Sequence, residues 1–210
     1  MASCSQGYLW FCYTSRVARN DFDARFFSRY YGRSPIHTKA RLHRLASAID
    51  DLCSWWQAPV RSMLDVGAGV GHWSNWYRSQ RPRVRVVSTD VSEHACRRYG
   101  HERLDIGTQQ PRGTFDLVVC MSVLQYLDDV AAKRAIGHLA AATRNVLYFE
   151  VPTRRDMNES VDASDTDARI HVRSGDWYAR RLQRHFVRAG AGLWVRRGSG
   201  IVLYELEAGR

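Results

Sequence analysis

The sequence predicts an α/β fold, in which a mostly parallel sheet is flanked by helices. Amphipathic helical patterns occupy the first segment, and after Pro59 short apolar runs alternate with further helical patterns. Two short apolar runs around glycines near the end predict an antiparallel hairpin that closes the sheet. We therefore expect one structural domain, with an N-terminal helical cap segment at residues 1–60 and a core at residues 61–210.

The first segment is predicted to be helical because its apolar residues recur at helical spacing. Phe22, Phe26 and Tyr30 are each four residues apart. A second stripe follows at alternating steps of three and four residues: Leu42, Leu45, Ile49, Leu52 and Trp56. Spacing of this kind places the apolar side chains on one face of an amphipathic helix.

Four continuous apolar runs predict strands that are buried on both faces, as in a parallel sheet. These strands are expected at residues 62–66, 84–88, 115–120 and 146–151. Helical faces recur between them: Trp73, Trp76 and Tyr77 on one, and Ile136, Leu139, Ala140 and Thr143 on another. Asp128 and Asp129 form a cap-like pair before the second of these helices. Residues 107–113 are too few for another helix, so we expect a loop there.

The last part of the chain changes its pattern twice. Residues 151–175 are mostly small and polar, which predicts a long loop or lid. A helical stripe follows: Tyr178, Leu182, His185, Phe186 and Ala189. Residues 193–196 and 201–206 lie on either side of the glycine-containing residues 198–200, and we expect them to form the two strands of the hairpin.

The charge of the chain is strongly basic, at a formal net charge of +10 over 210 residues. Clustered basic residues bind nucleic acid because they neutralise phosphates. Here, of the 31 basic residues only Lys39 and Lys133 are lysines, and the arginines are dispersed along the chain. Nucleic acid is therefore an open alternative as a partner, but it is not favoured.

The composition also bears on location and on metal binding. No run approaches the roughly 20 apolar residues of a membrane-spanning helix, so no membrane association is expected. The apolar run at residues 8–13 lacks the flanking features of a secretory signal, and we expect a cytoplasmic protein. The five cysteines are scattered without a Cys-x-x-Cys pair, which indicates neither a disulfide framework nor a zinc site.

The clearest chemical signal is a glycine-rich segment between the first predicted strand and the helix that follows. Gly67, Gly69 and Gly71 allow the backbone to pass close to a ligand, and the helix offers free N–H groups to a negative group. Asp65 precedes the glycines, where a carboxylate can orient loop amides or attract a cationic amine through water. The same charge would repel a dinucleotide pyrophosphate, so it argues against NAD or FAD.

A second acidic residue, Asp90, ends the next predicted strand, about 20 residues after the glycines. A carboxylate at this point can accept hydrogen bonds from both hydroxyls of a ribose. The alternative role is an N-cap for the next helix, but Ser92 can supply that cap itself. We therefore expect Asp90 to bind ribose.

Taken in order, these motifs resemble the class I S-adenosylmethionine-dependent methyltransferases. The resemblance covers residues 61–151 and, more loosely, the terminal hairpin. It implies a Rossmann-like, mostly parallel seven-stranded sheet, with S-adenosylmethionine as methyl donor and S-adenosylhomocysteine as product. It places the cofactor against these residues: Asp65, Gly67, Gly69, Gly71, Asp90, Val91, Asp105, Ile106, Cys120, Met121 and Gln125.

The resemblance also implies a role for the later positions in this set. Val91 lies against the adenine, while the Asp105 side chain and the next backbone amide recognise adenine edges. The Cys120 carbonyl, Met121 and Gln125 border the methionine part of the cofactor. Many small-molecule members have a histidine where Gln125 stands, so any role of that histidine does not transfer.

The implied activity is transfer of a methyl group, by in-line displacement, to an oxygen or nitrogen of a small-molecule acceptor. Alignment of the two reactants supplies most of the acceleration, and no metal is expected. The Asn/Asp-Pro-Pro-aromatic segment of amino-methylating DNA and RNA enzymes does not follow Val119. Two alternatives stay open: an RNA or protein methyltransferase that uses the basic surface, and a non-catalytic methyltransferase-like binding module. The sequence indicates no oligomeric state.

Two residues are candidates for catalysis at the acceptor. Glu150 ends a predicted strand at the carboxyl edge of the sheet, where α/β folds bind ligands, and is the first candidate for a general base. The alternative is a solvated carboxylate paired with a neighbouring arginine. His37 precedes the second N-terminal helix and is expected to face the acceptor. Because N-terminal helices commonly cover the cofactor in this family, we expect Tyr30 or Tyr31 to close the site.

Overall fold

The computed structural model describes residues 22–32, 37–161, 166–167 and 169–209. A seven-stranded sheet organises these residues. Its strands are β1 (Ser62–Val66), β2 (Arg85–Asp90), β3 (Glu102–Arg103), β4 (Phe115–Met121), β5 (Thr143–Glu150), β6 (Phe186–Gly190) and β7 (Leu193–Arg196). The helices are α1 (Ala24–Tyr31), α2 (Lys39–Trp55), α3 (His72–Gln80), α4 (Glu93–Tyr99), α5 (Asp129–Ala142), α6 (Arg154–Glu159) and α7 (Gly175–Leu182). What the sequence predicts for residues 1–21 lies outside the described residues.

The order of strands across the sheet is β3-β2-β1-β4-β5-β7-β6. Strands β1 to β5 pair in parallel, whereas β7 runs antiparallel between β5 and β6. This confirms the predicted Rossmann-like, mostly parallel sheet that closes with antiparallel strands. The strand order reverses at β1, which lies between β2 and β4. In open α/β sheets, ligands bind outside the carboxyl ends of the strands at this point.

Both faces of the central sheet are buried under helices, which explains the continuous apolar runs within β4 and β5. All five residues of β1 are buried. Met63 and Val119 belong to the core beneath α2 and α3, whereas Leu64 and Val118 belong to the core beneath α5 and α7. Alternating residues of one strand therefore serve two separate cores, as the pleat of a strand requires.

Side chains that cap the helices set where they begin. The Asp128 carboxylate accepts the Ala131 N–H at 2.8 Å, which confirms the predicted cap of α5. The Ser92 hydroxyl accepts the Ala95 N–H at 3.0 Å and caps α4. Among the described residues, no helix has both the length and the apolar character needed to cross a bilayer.

The predicted position of the hairpin is wrong. Residues 201–206 form no strand, and β7 pairs instead with β6, whose residues were predicted to continue a helix. The reason is the turn Gly190–Ala191–Gly192, where all three residues have positive φ angles of 86°, 46° and 78°. Glycine tolerates such angles, so the chain reverses there rather than at residues 198–200.

The polar segment after β5 contains more structure than predicted. A short helix, α6, begins at a reciprocal capping arrangement in which Thr153 and Asp156 bond each other's backbone. By contrast, residues 107–113 form turns without a helix, as predicted. The segment between β5 and α7 thus contributes the short helix α6 beside the carboxyl edge of the sheet.

Candidate active site

A cavity of about 820 Å³ opens at the carboxyl edge of the parallel strands, and α1 and α2 contribute to its wall. This volume lies within the usual range of small-molecule sites. Nine of the residues proposed from the sequence line it: His37, Asp65, Gly67, Gly69, Asp90, Val91, Met121, Gln125 and Glu150. The structure therefore brings the proposed cofactor and catalytic residues to one cavity.

The glycine loop after β1 adopts backbone angles that favour glycine. Gly67, Gly69 and Gly71 have φ values of 66°, 58° and 77°. A Cβ on Gly69 would lie 3.2 Å from the Tyr31 hydroxyl, and a Cβ on Gly67 would collide with Val123. Gly71 is the N-cap of α3 and does not line the cavity. The loop thus passes close beneath the residues that cover it.

Asp65 is buried beneath this loop, at 2% exposure. Its carboxylate accepts the Ser74 N–H at 3.1 Å and so holds the first turn of α3 rather than an amide of the glycine loop. Burial raises the pKa of Asp65 to about 7. The carboxyl group is therefore close to half-ionised at neutral pH, and a cation nearby would favour its ionised form.

Asp90 orients the loop from the end of β2. One carboxylate oxygen accepts the Gly69 N–H at 2.9 Å and the other accepts the Ser92 N–H at 2.7 Å. Burial raises the pKa of Asp90, against the effect of these hydrogen bonds. Because Ser92 caps α4 itself, Asp90 is not needed as a cap and lines the cavity.

His101 is a residue at this site that the sequence did not indicate. It is 7% exposed, and its Nε2 lies 3.0 Å from the Gly69 carbonyl oxygen while Nδ1 lies 2.9 Å from the Ser88 hydroxyl. Burial lowers the pKa of His101, so the neutral ring donates from Nε2 to Gly69 and accepts from Ser88. Arg78 donates to the same hydroxyl at 3.0 Å. The peptide units around Gly69 are thus held by Asp90 on one side and by His101 on the other.

Helix α1 covers the cavity with aromatic side chains. The Tyr31 hydroxyl lies over the glycine loop, and desolvation there raises the pKa of Tyr31 to about 12, although 39% of the residue as a whole is exposed. The rings of Phe26 and Tyr30 pack 4.8 Å apart, and Phe22 packs 5.0 Å from Tyr126. These rings all line the cavity.

The two proposed catalytic residues face each other at the cavity. The His37 Nε2 lies 3.7 Å from Glu150 Oε1, and both side chains are a little over one-third exposed. The Tyr148 hydroxyl donates to Glu150 Oε2 at 2.7 Å. Burial and the charge of Glu150 together raise the pKa of Tyr148, so this hydroxyl stays protonated. Sequence spacing placed Glu150 at this edge but gave no sign of its contact with Tyr148.

A buried arginine fixes the turn after β4. Arg173 is 5% exposed, and it donates to the carbonyl oxygens of Leu124 at 3.2 Å and Leu127 at 2.5 Å. This turn carries Gln125 and Tyr126 to the cavity. The carbonyl groups of this turn therefore accept hydrogen bonds from a residue almost fifty positions further along the chain.

Besides Gly71, three positions proposed for the cofactor do not line the cavity. The Asp105 carboxylate accepts the Gly107 N–H at 2.9 Å, Ile106 lies in the hydrophobic core, and the Cys120 side chain is fully buried in β4. These roles stay predictions. Within the part of the chain that the structure describes, no three His, Cys, Asp or Glu side chains come together as a metal site would require.

The sequence matches one protein family across most of its length. The matching profile is described as a methyltransferase domain and covers residues 37–190. No curated protein matches the sequence significantly.

Solved structures share the fold. Magnesium protoporphyrin IX methyltransferase from Synechocystis PCC 6803, solved with bound S-adenosylhomocysteine, is 19% identical with a TM-score of 0.54, over 83% of this chain and 96% of that one. An amino pentose methyltransferase from Micromonospora echinaspora, solved with S-adenosylmethionine, is 15% identical with a TM-score of 0.55, over 82% and 95%. An O-methyltransferase family protein from Burkholderia thailandensis is 17% identical with a TM-score of 0.53, over 77% of this chain but only 59% of that one.

Proposed function

The chain belongs to the methyltransferase domain family, and from this premise we propose that it transfers a methyl group from S-adenosylmethionine to an oxygen or nitrogen of a small-molecule acceptor. The observation that carries the proposal is the arrangement of one cavity. The glycine loop and Asp90 line one side of it, and Glu150 and His37 line another. A donor and an acceptor bound in it would lie side by side, which is the main requirement of a displacement reaction.

The residues on the glycine-loop side fit S-adenosylmethionine. Asp90 is held at the end of β2 by two backbone N–H groups, and its oxygens retain lone pairs for the ribose hydroxyls. Gln125 lines the cavity at 5% exposure, and its Oε1 has no hydrogen-bond partner among the described residues. An ammonium group of the methyl donor would supply the missing hydrogen bond. The solved neighbours with bound S-adenosylmethionine or S-adenosylhomocysteine support this assignment.

When bound, S-adenosylmethionine supplies a methyl carbon that its sulfonium makes electrophilic. The protein therefore has three tasks: to orient the acceptor, to remove its proton and to exclude water. We assign the exclusion of water to the aromatic rings of α1, which line the cavity. Preorganised contacts around Gly69 keep the donor side rigid, since both the N–H and the carbonyl oxygen of this residue are bonded.

We assign the removal of the acceptor proton to Glu150. The Tyr148 hydroxyl occupies Oε2, so Oε1 is the oxygen directed toward His37 and the acceptor side. His37 lies within reach of a single bridging water and is positioned to pass the proton toward solvent. A general base of this kind contributes roughly 10²–10⁴-fold to the rate when the acceptor must lose a proton.

The first test is calorimetric titration of the protein with S-adenosylmethionine, S-adenosylhomocysteine and NAD. We expect one-to-one binding of both sulfur ligands and none of NAD. The variant Asp90→Ala is expected to lose most of this affinity, whereas Asp51→Ala, a 71% exposed control on α2, is expected to keep it. Absence of binding by a demonstrably folded sample would refute the proposal. Methylated products are then sought by mass spectrometry with panels of small hydroxyl and amino compounds.

A further inference from the structure

The charge of the cavity is opposite to the charge of the protein. The chain as a whole carries ten more basic than acidic residues. Five carboxyl side chains line the cavity: Asp65, Asp90, Glu150, Asp156 and Asp167. Among the described lining residues Arg41 is the single lysine or arginine, and it is exposed. The lining of the cavity is thus acidic, although the protein as a whole is basic.

Only two of these carboxyl groups belong to the donor side. Asp65 and Asp90 lie at the glycine loop, whereas Glu150, Asp156 and Asp167 lie at the end of β5 and in the segment after it. The proposed donor therefore accounts for two of the five carboxyl groups, and the other three lie outside the donor side. They line the part of the cavity where the acceptor would bind.

Asp167 is the most buried carboxylate on this side, at 7% exposure. Both of its oxygens accept hydrogen bonds from the Arg169 guanidinium, at 3.0 and 2.9 Å, but Arg169 is not among the described residues that line the cavity. After burial, the charge of Asp167 contributes to raising the pKa of Tyr30 and of Tyr126, while the charge of Arg169 acts in the opposite direction on both phenols. A buried carboxylate and two tyrosines therefore share one region of the wall.

Aromatic rings complete this region. Phe22 lies 5.0 Å from both Phe26 and Tyr126 in edge-to-face contact, and Phe26 lies 4.8 Å from Tyr30. The faces of aromatic rings carry partial negative charge and attract cations, an effect that strengthens away from water. Carboxylates and ring faces together favour a cation, and they disfavour an anion through like-charge repulsion.

We infer that the acceptor carries a positively charged amine on an aromatic or otherwise apolar body. The amine is the group that the acidic and aromatic wall recognises, and the apolar body packs on the rings of α1. This inference rests on the proposed function, because it assigns the remaining part of the same cavity to the acceptor.

The test uses matched ligands on the wild-type protein saturated with S-adenosylhomocysteine. Tryptamine, tryptophol and indole-3-propionate share one ring and differ in carrying an amine, a hydroxyl or a carboxylate, and phenyl and cyclohexyl triplets extend the comparison. Binding is measured by calorimetry and ligand-observed magnetic resonance. We expect the amines to bind about tenfold more tightly than the alcohols and the carboxylates not to bind.

A variant then tests whether Asp167 is the group that recognises the amine. Asp167→Asn is expected to weaken amine binding about tenfold and to leave alcohol binding and S-adenosylhomocysteine binding within about twofold. Asp51→Asn serves as the exposed control. If Asp167→Asn weakens S-adenosylmethionine but not S-adenosylhomocysteine, the carboxylate recognises the sulfonium of the donor and the inference is overturned.

The outcomes separate the two proposals. Failure of S-adenosylhomocysteine to bind the folded protein refutes the proposed function, and the inference falls with it. If S-adenosylhomocysteine binds but the alcohols or carboxylates bind as tightly as the amines or more tightly, the inference alone is refuted. It is also refuted alone if S-adenosylhomocysteine binds and no amine does. The wild-type panel decides this even if the variant does not fold.

Discussion

The two sides of the cavity are built in different ways. On the donor side, Asp65, Asp90 and His101 are all nearly buried, and each bonds a backbone group of the glycine loop or of the helix after it. On the acceptor side, Glu150 and His37 are more than one-third exposed, and their partners are other side chains. The donor side is thus fixed by hydrogen bonds to the backbone, whereas the acceptor side depends on contacts between side chains.

This difference indicates which part of the cavity determines specificity for the acceptor. A site held by main-chain hydrogen bonds changes little when surface residues change, so it suits a ligand common to many enzymes. A site made from side chains on loops and terminal helices adapts to different acceptors. Variants on each side should therefore separate binding of the donor from turnover.

The largest expected effect is on turnover at the acceptor side. Glu150→Gln keeps the size of the side chain and the hydrogen bond from Tyr148 but removes the proton acceptor. We expect kcat to fall about 100-fold with an acceptor that must lose a proton. S-adenosylhomocysteine affinity, measured by calorimetry, should change less than about twofold. An equal loss of affinity and turnover would contradict the separation of the two sides.

The next effect is on donor binding. Asp90→Ala removes a buried carboxylate that holds the Gly69 N–H and faces the cavity. We expect S-adenosylhomocysteine affinity to fall about 30-fold, since a charged hydrogen-bonding group is worth about 2 kcal/mol. Titration of Asp51→Ala in parallel gives the control, and thermal melting reports whether both variants are folded. Retention of full affinity would show that Asp90 has only a structural role.

His101 offers a test of whether the loop must be held from both sides. His101→Gln retains a donor near the position of Nε2, whereas His101→Asn retains only a group near Nδ1. We expect the asparagine variant to lose about tenfold in S-adenosylhomocysteine affinity and the glutamine variant to lose about threefold. Melting temperatures should be lowered similarly in both. Equal affinities of the two variants would mean that the contact with Gly69 does not position the donor.

The smallest effect concerns pH. Because the pKa of Asp65 is raised to about 7, a cationic ligand nearby favours its ionised form, and binding releases a proton below that pH. S-adenosylhomocysteine affinity should therefore rise about threefold between pH 6 and pH 8. Calorimetry in buffers of different ionisation enthalpy measures the proton released. In Asp65→Asn this rise should disappear, and its persistence would assign it to another group.

The sequence predicted most of the fold because local patterns determine it. The limits of β1 were predicted to the residue, since its apolar residues directly precede the glycine loop. The hairpin was misplaced because two glycine turns lie close together in sequence. Which of them reverses the chain depends on backbone angles at Gly190 and Gly192 that composition does not reveal.

The site was predictable only where it follows the backbone. Asp65, Asp90 and Glu150 were found because each occupies a fixed place at a strand end. Tertiary folding creates the contacts through which three other side chains act: His101, Tyr148 and the carboxylate of Asp167. Such contacts join residues whose spacing in sequence carries no periodic signal, so no pattern identified them.

The hydrogen bonds from Arg173 to the turn after β4 bear on the order in which the chain folds during synthesis. On the ribosome, β1, β2 and β4 emerge first and can pair while the rest of the chain is still being made. The carbonyl groups of Leu124 and Leu127 must wait for Arg173 before their hydrogen bonds are complete. A nascent chain can thus assemble the glycine loop early, yet the hydrogen bonds of the turn that carries Gln125 are complete only after Arg173 has been added to the chain.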